Sequence, residues 1–404
     1  MRVLYTTAWY PNRKVAGDGV FIQKHAHAIA RLNQLAVLMV QTDESKHDLS
    51  IEICATRQSD LDEVLVYVPK TRFEIPVLTG LIRLYWLMAG YLKGYFYIKK
   101  HYWQGQRPEV CHVNVLTRAA GLPWLLRKVY GIPYIITEHW TRYARPDSYP
   151  DSSMQLRLGR LFVRDASYVC PVSLNLELSM KKWKLENKHY TRVGNVVDTD
   201  VFTLPSAVVG SREVTRFVHV SWMRDETKNI SGILRVLSRL KSKHQNFHLR
   251  LIGEGNDKER LHAYAKELGL VPGYVTFVEA KKGEALAEEL RNSDAMLMFS
   301  HHENQPVSVL EALACGLPVI ASTAGSLPAM LARNRGITVK PGDEDELLSV
   351  IDGFLTLRSQ LTETQLADPT LAIQRREYVV SQHSPEVIGR QFDALYRASR
   401  ATTC

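Results

Sequence analysis

Residues 295–322 read AMLMFSHHENQPVSVLEALACGLPVIAS. The apolar run 295–299 predicts a buried strand. A polar loop follows, Pro306 opens a helix, and 318–322 predicts the next strand. Strand, helix and strand in one short stretch are the unit of a parallel sheet with crossover helices. Proline suits the first helical position, because its missing N–H would have no intrahelical partner there. The N–H groups of Val307 and Ser308 then point outward, with the positive end of the helix dipole behind them, which suits a phosphate. Glu311 falls one turn further on the same face. A carboxylate there can take the hydroxyls of a ribose carried by that phosphate. Glu303, just ahead of the helix, falls at the sugar end of such a ligand.

The same alternation runs outward in both directions. Upstream, 217–221 predicts a strand and 230–240 a helix. The strand 248–252 ends in Gly253-Glu254-Gly255 and leads to a helix over 258–268. A strand at 275–277 and a helix over 284–292 complete the approach, and 336–339 predicts a later strand. The first half repeats the pattern. A strand at 3–7 precedes a loop with Gly17-Asp18-Gly19. A helix follows with Phe21, Ile22, Ala26, Ile29 and Ala30 on one face, then strands at 36–40, 110–113, 134–136 and 168–170.

Residues 195–212 hold turn formers without periodicity and predict a linker. The last helix, 385–399, carries Val387, Ile388, Phe392, Leu395 and Tyr396 on one face. The expected organisation is an α/β fold of two Rossmann-like parallel-sheet domains, 1–200 and 201–384, facing across a cleft. The helix within 385–404 is expected to pack back on the first domain. Open α/β sheets take ligands beyond the carboxyl ends of their strands. No internal repeat or low-complexity tract interrupts the pattern.

A chain of 404 residues, 45% hydrophobic and 23% charged, can bury a core in each half. The 51 basic against 42 acidic residues leave a formal charge of +9, which favours anionic partners without choosing among them. Cys54, Cys111, Cys170, Cys315 and Cys404 are scattered and never in a CxxC pair, so a disulfide framework or zinc site is not expected. The natural setting is a reducing cytoplasm. The opening MRVLYTTAWYP is too short an apolar stretch for a secretory signal, and no run of about twenty apolar residues predicts a membrane span.

The block Glu-x7-Glu at Glu303 and Glu311, followed by Ala312-Leu313-Ala314-Cys315-Gly316-Leu317-Pro318-Val319-Ile320-Ala321, resembles glycosyltransferase family 4, with its GT-B fold. The likeness extends over nearly the whole chain. Gly17 and Gly19 match the family's N-terminal glycine loop. Residues 131–139, GIPYIITEH, resemble the strand ending in an active-site histidine; 193–202 and 336–343 resemble the segment leading into the linker and the late strand with its turn.

The resemblance implies a retaining, metal-independent glycosyltransferase of hexosyltransferase type, with a nucleotide-sugar as donor, UDP- or GDP-linked, and no cofactor. It implies Glu311 on the donor ribose, Glu303 and His139 on the sugar, Val307 and Ser308 on the phosphates, and Gly253 and Glu254 near the base. Gly17 and Gly19 would allow close backbone approach to the diphosphate or acceptor. Arg224 and Lys228 would neutralise the leaving diphosphate. A departing nucleoside diphosphate gains negative charge, and a fixed donor in a dry site is worth about 3 kcal/mol to it. No DxD-type cluster stands in a suitable place, so Lys and Arg carry that charge.

The chain departs from the family pattern at several points. The usual Gly-Arg after the second domain's first strand is replaced by Ser221-Trp222-Met223-Arg224, and Arg224 precedes Lys228 by four residues rather than five. Gln305-Pro306 stands where Phe-Gly is common, and Pro328-Ala329 where Pro-Glu is common.

Each singled-out residue has a structural reading beside the chemical one. The structural readings are a hydrogen-bonded core histidine for His139, a plain turn for Gly17-Asp18-Gly19, solvated charges for Arg224 and Lys228, and an exposed turn residue for Glu254. Residues 82–103 concentrate Tyr85, Trp86, Tyr91, Tyr95, Phe96, Tyr97, Tyr102 and Trp103 among Arg83, Lys93, Lys99 and Lys100. Such a mix suits an anionic membrane surface or an aromatic face packed within its own domain. The favoured function is sugar transfer to a saccharide or lipid-linked acceptor in cell-envelope or exopolysaccharide biosynthesis, in the cytoplasm or on the inner face of the cell membrane. The alternative is a decayed GT-B protein acting as a sugar-binding or complex subunit. An epimerase or phosphorylase of the same architecture fits less well: the Glu-x7-Glu setting speaks against the first, the want of a pyridoxal lysine site against the second. The basic charge is spread and no recognition motif appears, so nucleic acid is not expected as a partner.

Overall fold

A computed structural model describes the chain except for residues 16, 46–47, 59–60, 71–75, 145–153, 207–212, 361–368 and 402–404. Cys404 and the end of the expected linker lie outside the described residues. The chain divides into two compact units, Met1–Val196 with Pro385–Cys404, and Val197–Ser384.

The first unit holds β1 (Arg2–Thr7), α1 (Val20–Ala30), β2 (Gln34–Asp43), β3 (Glu52–Gln58), β4 (Leu61–Pro69), α2 (Pro76–His101), β5 (Val110–Asn114), α3 (Gly121–Tyr130), β6 (Tyr134–Glu138), α4 (Met154–Asp165), β7 (Tyr168–Pro171) and α5 (Leu174–Lys182). Its seven strands run β3-β4-β2-β1-β5-β6-β7, all parallel except that β3 pairs antiparallel with β4. The central strands are continuous apolar runs because helices cover both faces of a parallel sheet. Leu35 to Val40 are buried without a break. The β3–β4 pair was not anticipated: β3 is an edge strand whose residues from Ala55 onward are exposed, so it carries no apolar alternation.

The second unit holds β8 (Thr215–Val220), α6 (Asp225–Lys228), α7 (Ile230–Leu240), β9 (Phe247–Ile252), α8 (Lys258–Glu267), β10 (Val275–Val278), α9 (Gly283–Arg291), β11 (Ala295–Met298), α10 (Val307–Ala314), β12 (Val319–Ser322), α11 (Leu327–Leu331), β13 (Gly336–Val339), α12 (Glu344–Gln360) and α13 (Thr370–His383). Its strand order β10-β9-β8-β11-β12-β13 is wholly parallel. Counted within the unit this is 3-2-1-4-5-6, the doubly wound order whose switch point lies between the first and fourth strands, here β8 and β11. The segment after Val197 is held by Arg376 of α13. Its guanidinium donates to the carbonyls of Thr199 (2.9 Å), Phe202 (2.6 Å) and Ala314 (3.2 Å).

The last helix, α14 (Pro385–Ala401), belongs to the first unit and packs on α1. Ile388, Phe392 and Tyr396, four residues apart, form its fully buried stripe against Ile22, Ala26 and Ile29. The two helices approach so closely that a Cβ on Gly389 would lie 2.5 Å from the Ala28 carbonyl oxygen.

Helix α2 divides the aromatic stretch. Leu87, Tyr91, Tyr95 and Ile98 are buried in the unit's core, as is Trp103 just beyond the helix. Leu81, Leu84, Tyr85 and Phe96 are exposed. Among the described residues, no helix is long and apolar enough to cross a membrane.

Candidate functional site

The switch point of the second unit is built by the loops leaving β8 and β11. After β8 the chain turns through the single-turn helix α6. Asn229, in the left-handed region (φ 49°), ends it and starts α7. This places Lys228 beside the loop that follows β11. Its Nζ lies 2.6 Å from Oε1 of Glu303, and the Ser300 hydroxyl donates to the same oxygen at 2.8 Å. His301 donates its N–H to the Thr227 carbonyl at 2.9 Å, tying the two loops together. The Glu303 side chain is 6% exposed and that of Lys228 20%, so the pair is largely withdrawn from water.

A third loop grips Glu303 from behind. Gly325 adopts φ 59°, and a Cβ there would overlap the Glu303 carbonyl. Only glycine meets both demands. Ser326 donates its N–H to the Asn304 carbonyl at 3.1 Å. The carboxylate therefore stands on a backbone held from two sides.

Helix α10 begins one residue later than expected. Pro306 is its N-cap, with an extended ψ of 120°, and Val307 takes the first helical position. The N–H groups of Val309 and Leu310 already reach the Pro306 carbonyl. Those of Val307 and Ser308 precede any intrahelical acceptor, so the dipole's positive end remains. Glu311 is 6% exposed, a depth at which carboxylates stand only with partners.

The other donor-side candidates have structural duties. Gly253 and Gly255, at φ 147° and 155°, lie against the Ser221 and Met223 carbonyls so tightly that a Cβ on either would overlap them. They fit β9's exit loop to β8's. Between them, Glu254 pairs with Lys258 at 3.0 Å. Arg224 is the N-cap of α6, about half exposed, and its guanidinium pairs with Glu226 at 2.7 Å rather than with Glu303. Nearby, His219 of β8 is fully buried, bonded to the Leu297 carbonyl (2.8 Å) and the Ser221 hydroxyl (2.7 Å); burial pushes its imidazole down to about 4.

In the first unit, His139 follows β6 directly. Glu138, fully buried, fixes its backbone: one oxygen accepts the N–H groups of His139 (2.8 Å) and Trp140 (2.9 Å), the other that of Leu116 (2.8 Å). Burial raises the Glu138 carboxyl, and these N–H bonds oppose the rise. The His139 ring lies 4.7 Å from Phe21 and 5.1 Å from His25, centroid to centroid. Burial holds it well below the usual histidine range, with His25 pushing the same way and the Asn195 side chain opposing.

Phe21 belongs to α1, so the glycine loop and His139 come together through it. Gly19, at φ 63°, is the N-cap of α1, and a Cβ there would sit 2.6 Å from the Trp9 carbonyl carbon. Gly17 has open space around its Cβ position. Ser300, Gly325, Glu138 and His25 were not singled out from the sequence. Only Glu138 carried a signal, as a carboxylate ending an apolar strand. Among the described residues no group of three or more His, Cys, Asp or Glu side chains is arranged to hold a metal ion.

Residues 210–366 match the family model "Glycosyl transferases group 1". The lipopolysaccharide 1,6-galactosyltransferase of Escherichia coli (strain K12) is 27% identical over 214 residues, 52% of this chain; the chain spans 56% of that relative's length. The D-inositol 3-phosphate glycosyltransferase of Stackebrandtia nassauensis is 25% identical over 327 residues, covering 75% of this chain and 70% of the relative. Among solved structures, sucrose-phosphate synthase from Thermosynechococcus elongatus superposes over 100% of both chains with a TM-score of 0.74 at 18% identity. Anabaena Alr3699/HepE in complex with UDP-glucose covers 98% of this chain and 100% of its own, with a TM-score of 0.69 at 14% identity. Over residues 210–366 the chain is similar to group 1 glycosyl transferases, and its two parallel-sheet α/β units have the fold of GT-B glycosyltransferases.

Proposed function

We propose that the protein is a retaining glycosyltransferase that moves a hexose from a UDP- or GDP-sugar to a saccharide or lipid-linked acceptor, without a metal ion, in cell-envelope or exopolysaccharide assembly. The observation that carries this reading is the junction at the β8–β11 switch point. Lys228, at the end of α6, pairs there with the buried Glu303 carboxylate in the loop before α10, whose first N–H groups precede any intrahelical acceptor.

In this reading Val307 and Ser308 donate to the diphosphate, and Glu311 accepts from the ribose hydroxyls. Glu303 and His139 orient the sugar. The bond from sugar C1 to the diphosphate oxygen breaks while the acceptor hydroxyl bonds C1 from the same face; its proton passes to the departing diphosphate. Lys228 stabilises the charge that grows on that leaving group, a contribution of about 3 kcal/mol for one well-placed donor. Arg224 can join it only by leaving Glu226. Gly17 leaves room for a ligand at the carboxyl edge of β1, Gly19 sets the head of α1 against the Trp9 backbone beside it, and Gly253 and Glu254 flank the base. The relative named as a lipopolysaccharide 1,6-galactosyltransferase supports the acceptor class. The exposed apolar and basic residues of α2 support docking on an anionic membrane surface.

Thermal unfolding with UDP-, GDP-, ADP- and dTDP-sugars in EDTA tests the reading, comparing the wild type with Glu311→Ala. A ligand at about 100 times its dissociation constant adds roughly 2.7 kcal/mol. One nucleotide series should stabilise the wild type and not the variant. No shift with any of them would leave the chain as a decayed, non-catalytic subunit.

A further inference from the structure

Helix α14 does more in the first unit than cover α1. We infer that it sets the ring of His139 through a relay of aromatic side chains, with His25 as the positioning residue. The inference rests on the role given to His139 above.

The relay starts at His112 in β5, fully buried and bonded at both ring nitrogens: Nδ1 with the Tyr396 hydroxyl and Nε2 with the Thr137 hydroxyl, each at 2.7 Å. Its ring lies 4.8 Å from Phe392. Phe392 meets His25 edge-on at 5.6 Å, and His25 lies 5.1 Å from His139. His25 is itself anchored, its Nε2 bonded to the Gly194 carbonyl at 2.9 Å. None of these rings is more than 9% exposed. Side chains packed at crystal-like density transmit a displacement rather than absorb it.

Glu138 fixes the backbone of His139, and the Asn195 side chain bonds its ring; the packing of neighbouring rings completes the hold on its orientation. Phe21 closes one side and His25 the other. Burial keeps His112 and His139 uncharged, and a neutral imidazole presents one donor and one acceptor. A sugar hydroxyl therefore meets the correct nitrogen only if the ring is held in one orientation. His25, backed by Phe392 and the Tyr396–His112 bond, supplies the packing side of that hold, beside the bond from Asn195.

Two substitutions separate the ring of His25 from its hydrogen bond. His25→Phe keeps a ring against His139 and loses the bond to Gly194. His25→Gln can keep the bond and loses the ring. Long-range ¹H–¹⁵N spectra of histidine-labelled protein report the His139 ring directly, its signals assigned by their absence in His139→Gln. UDP release from UDP-glucose, with water as acceptor, gives kcat and KM alongside.

The relay requires His25→Phe to leave the His139 ring signals in place. It requires His25→Gln to move them and to lower kcat by roughly tenfold, with KM within about twofold. Phe392→Leu, which loosens the relay from α14, should move the same signals, and it decides the matter if His25→Gln fails to fold. His139 signals unmoved in both His25→Gln and Phe392→Leu would overturn the inference. If UDP-glucose is not turned over, that donor assignment fails while the ring signals still judge the relay.

Discussion

At the scale of single residues, the Lys228–Glu303 pair gathers the most consequences. Both side chains are largely withdrawn from water, so removing one leaves the other charge without its partner. Lys228→Met should destabilise the second unit by about 3 kcal/mol, and a second change, Glu303→Leu, should restore part of the loss. Urea unfolding measures both; a Lys228→Met cost near zero would mean that water screens the pair. His219 gives a second residue-scale expectation. Its unfolded value is the ordinary 6.5 and its folded value about 4, lowered chiefly by burial. A depressed histidine contributes stability that is complete above pH 6.5 and is lost as pH falls towards 4, because the unfolded chain takes up the proton first. His219→Gln should remove about one proton from the slope of stability against pH in that window, about 1.4 kcal/mol per unit. An unchanged slope would place the acid sensitivity elsewhere.

At the scale of elements, the exits of the strands are what the glycines serve. Gly325 brings the loop before α11 onto the Glu303 carbonyl in a left-handed conformation. Gly325→Ala must either shift that loop or distort the Glu303 backbone, at a cost above about 2 kcal/mol. Gly17→Ala meets open space and should leave the melting temperature within about a degree. Differential scanning calorimetry of the two variants compares a glycine required by contact with one that is not. Equal melting temperatures would remove the argument for the Gly325 grip. The 253–255 turn obeys the same logic, its glycines paired with carbonyls of the β8 exit loop. Arg224 takes a catalytic role in the sequence through the family resemblance and the charge of a leaving diphosphate; in the structure its guanidinium pairs with Glu226.

At the scale of the whole molecule, surface chemistry outside the strand exits bears on where the protein works. Helix α2 has no acidic residue over its 26 positions, and it exposes Leu81, Leu84, Tyr85 and Phe96 beside Arg83, Lys93 and Lys100. Apolar insertion and headgroup attraction then act together. Vesicles rich in anionic lipid should co-sediment the protein at low salt and release it as salt rises, and Leu84→Glu with Phe96→Glu should abolish the binding. Equal binding to neutral vesicles, or none to anionic ones, would assign the exposed stripe another partner.

The sequence by itself determined the two α/β units, the strand–helix alternation and the α10 loop with its flanking glutamates. Each of these is written in contiguous residues, where periodicity and turn chemistry act locally. The strand β3 escaped because a solvated edge strand needs no apolar pattern, and its buried partner β4 went unread although its apolar residues lie in one run. Only the tertiary structure decided that Lys228 pairs with Glu303 across 75 residues of chain, that Arg224 turns away, and that Phe392 of the last helix reaches His25 and, through it, His139. Such pairings depend on which strand ends and helix faces meet, and that is set by packing over the whole unit rather than by any one segment.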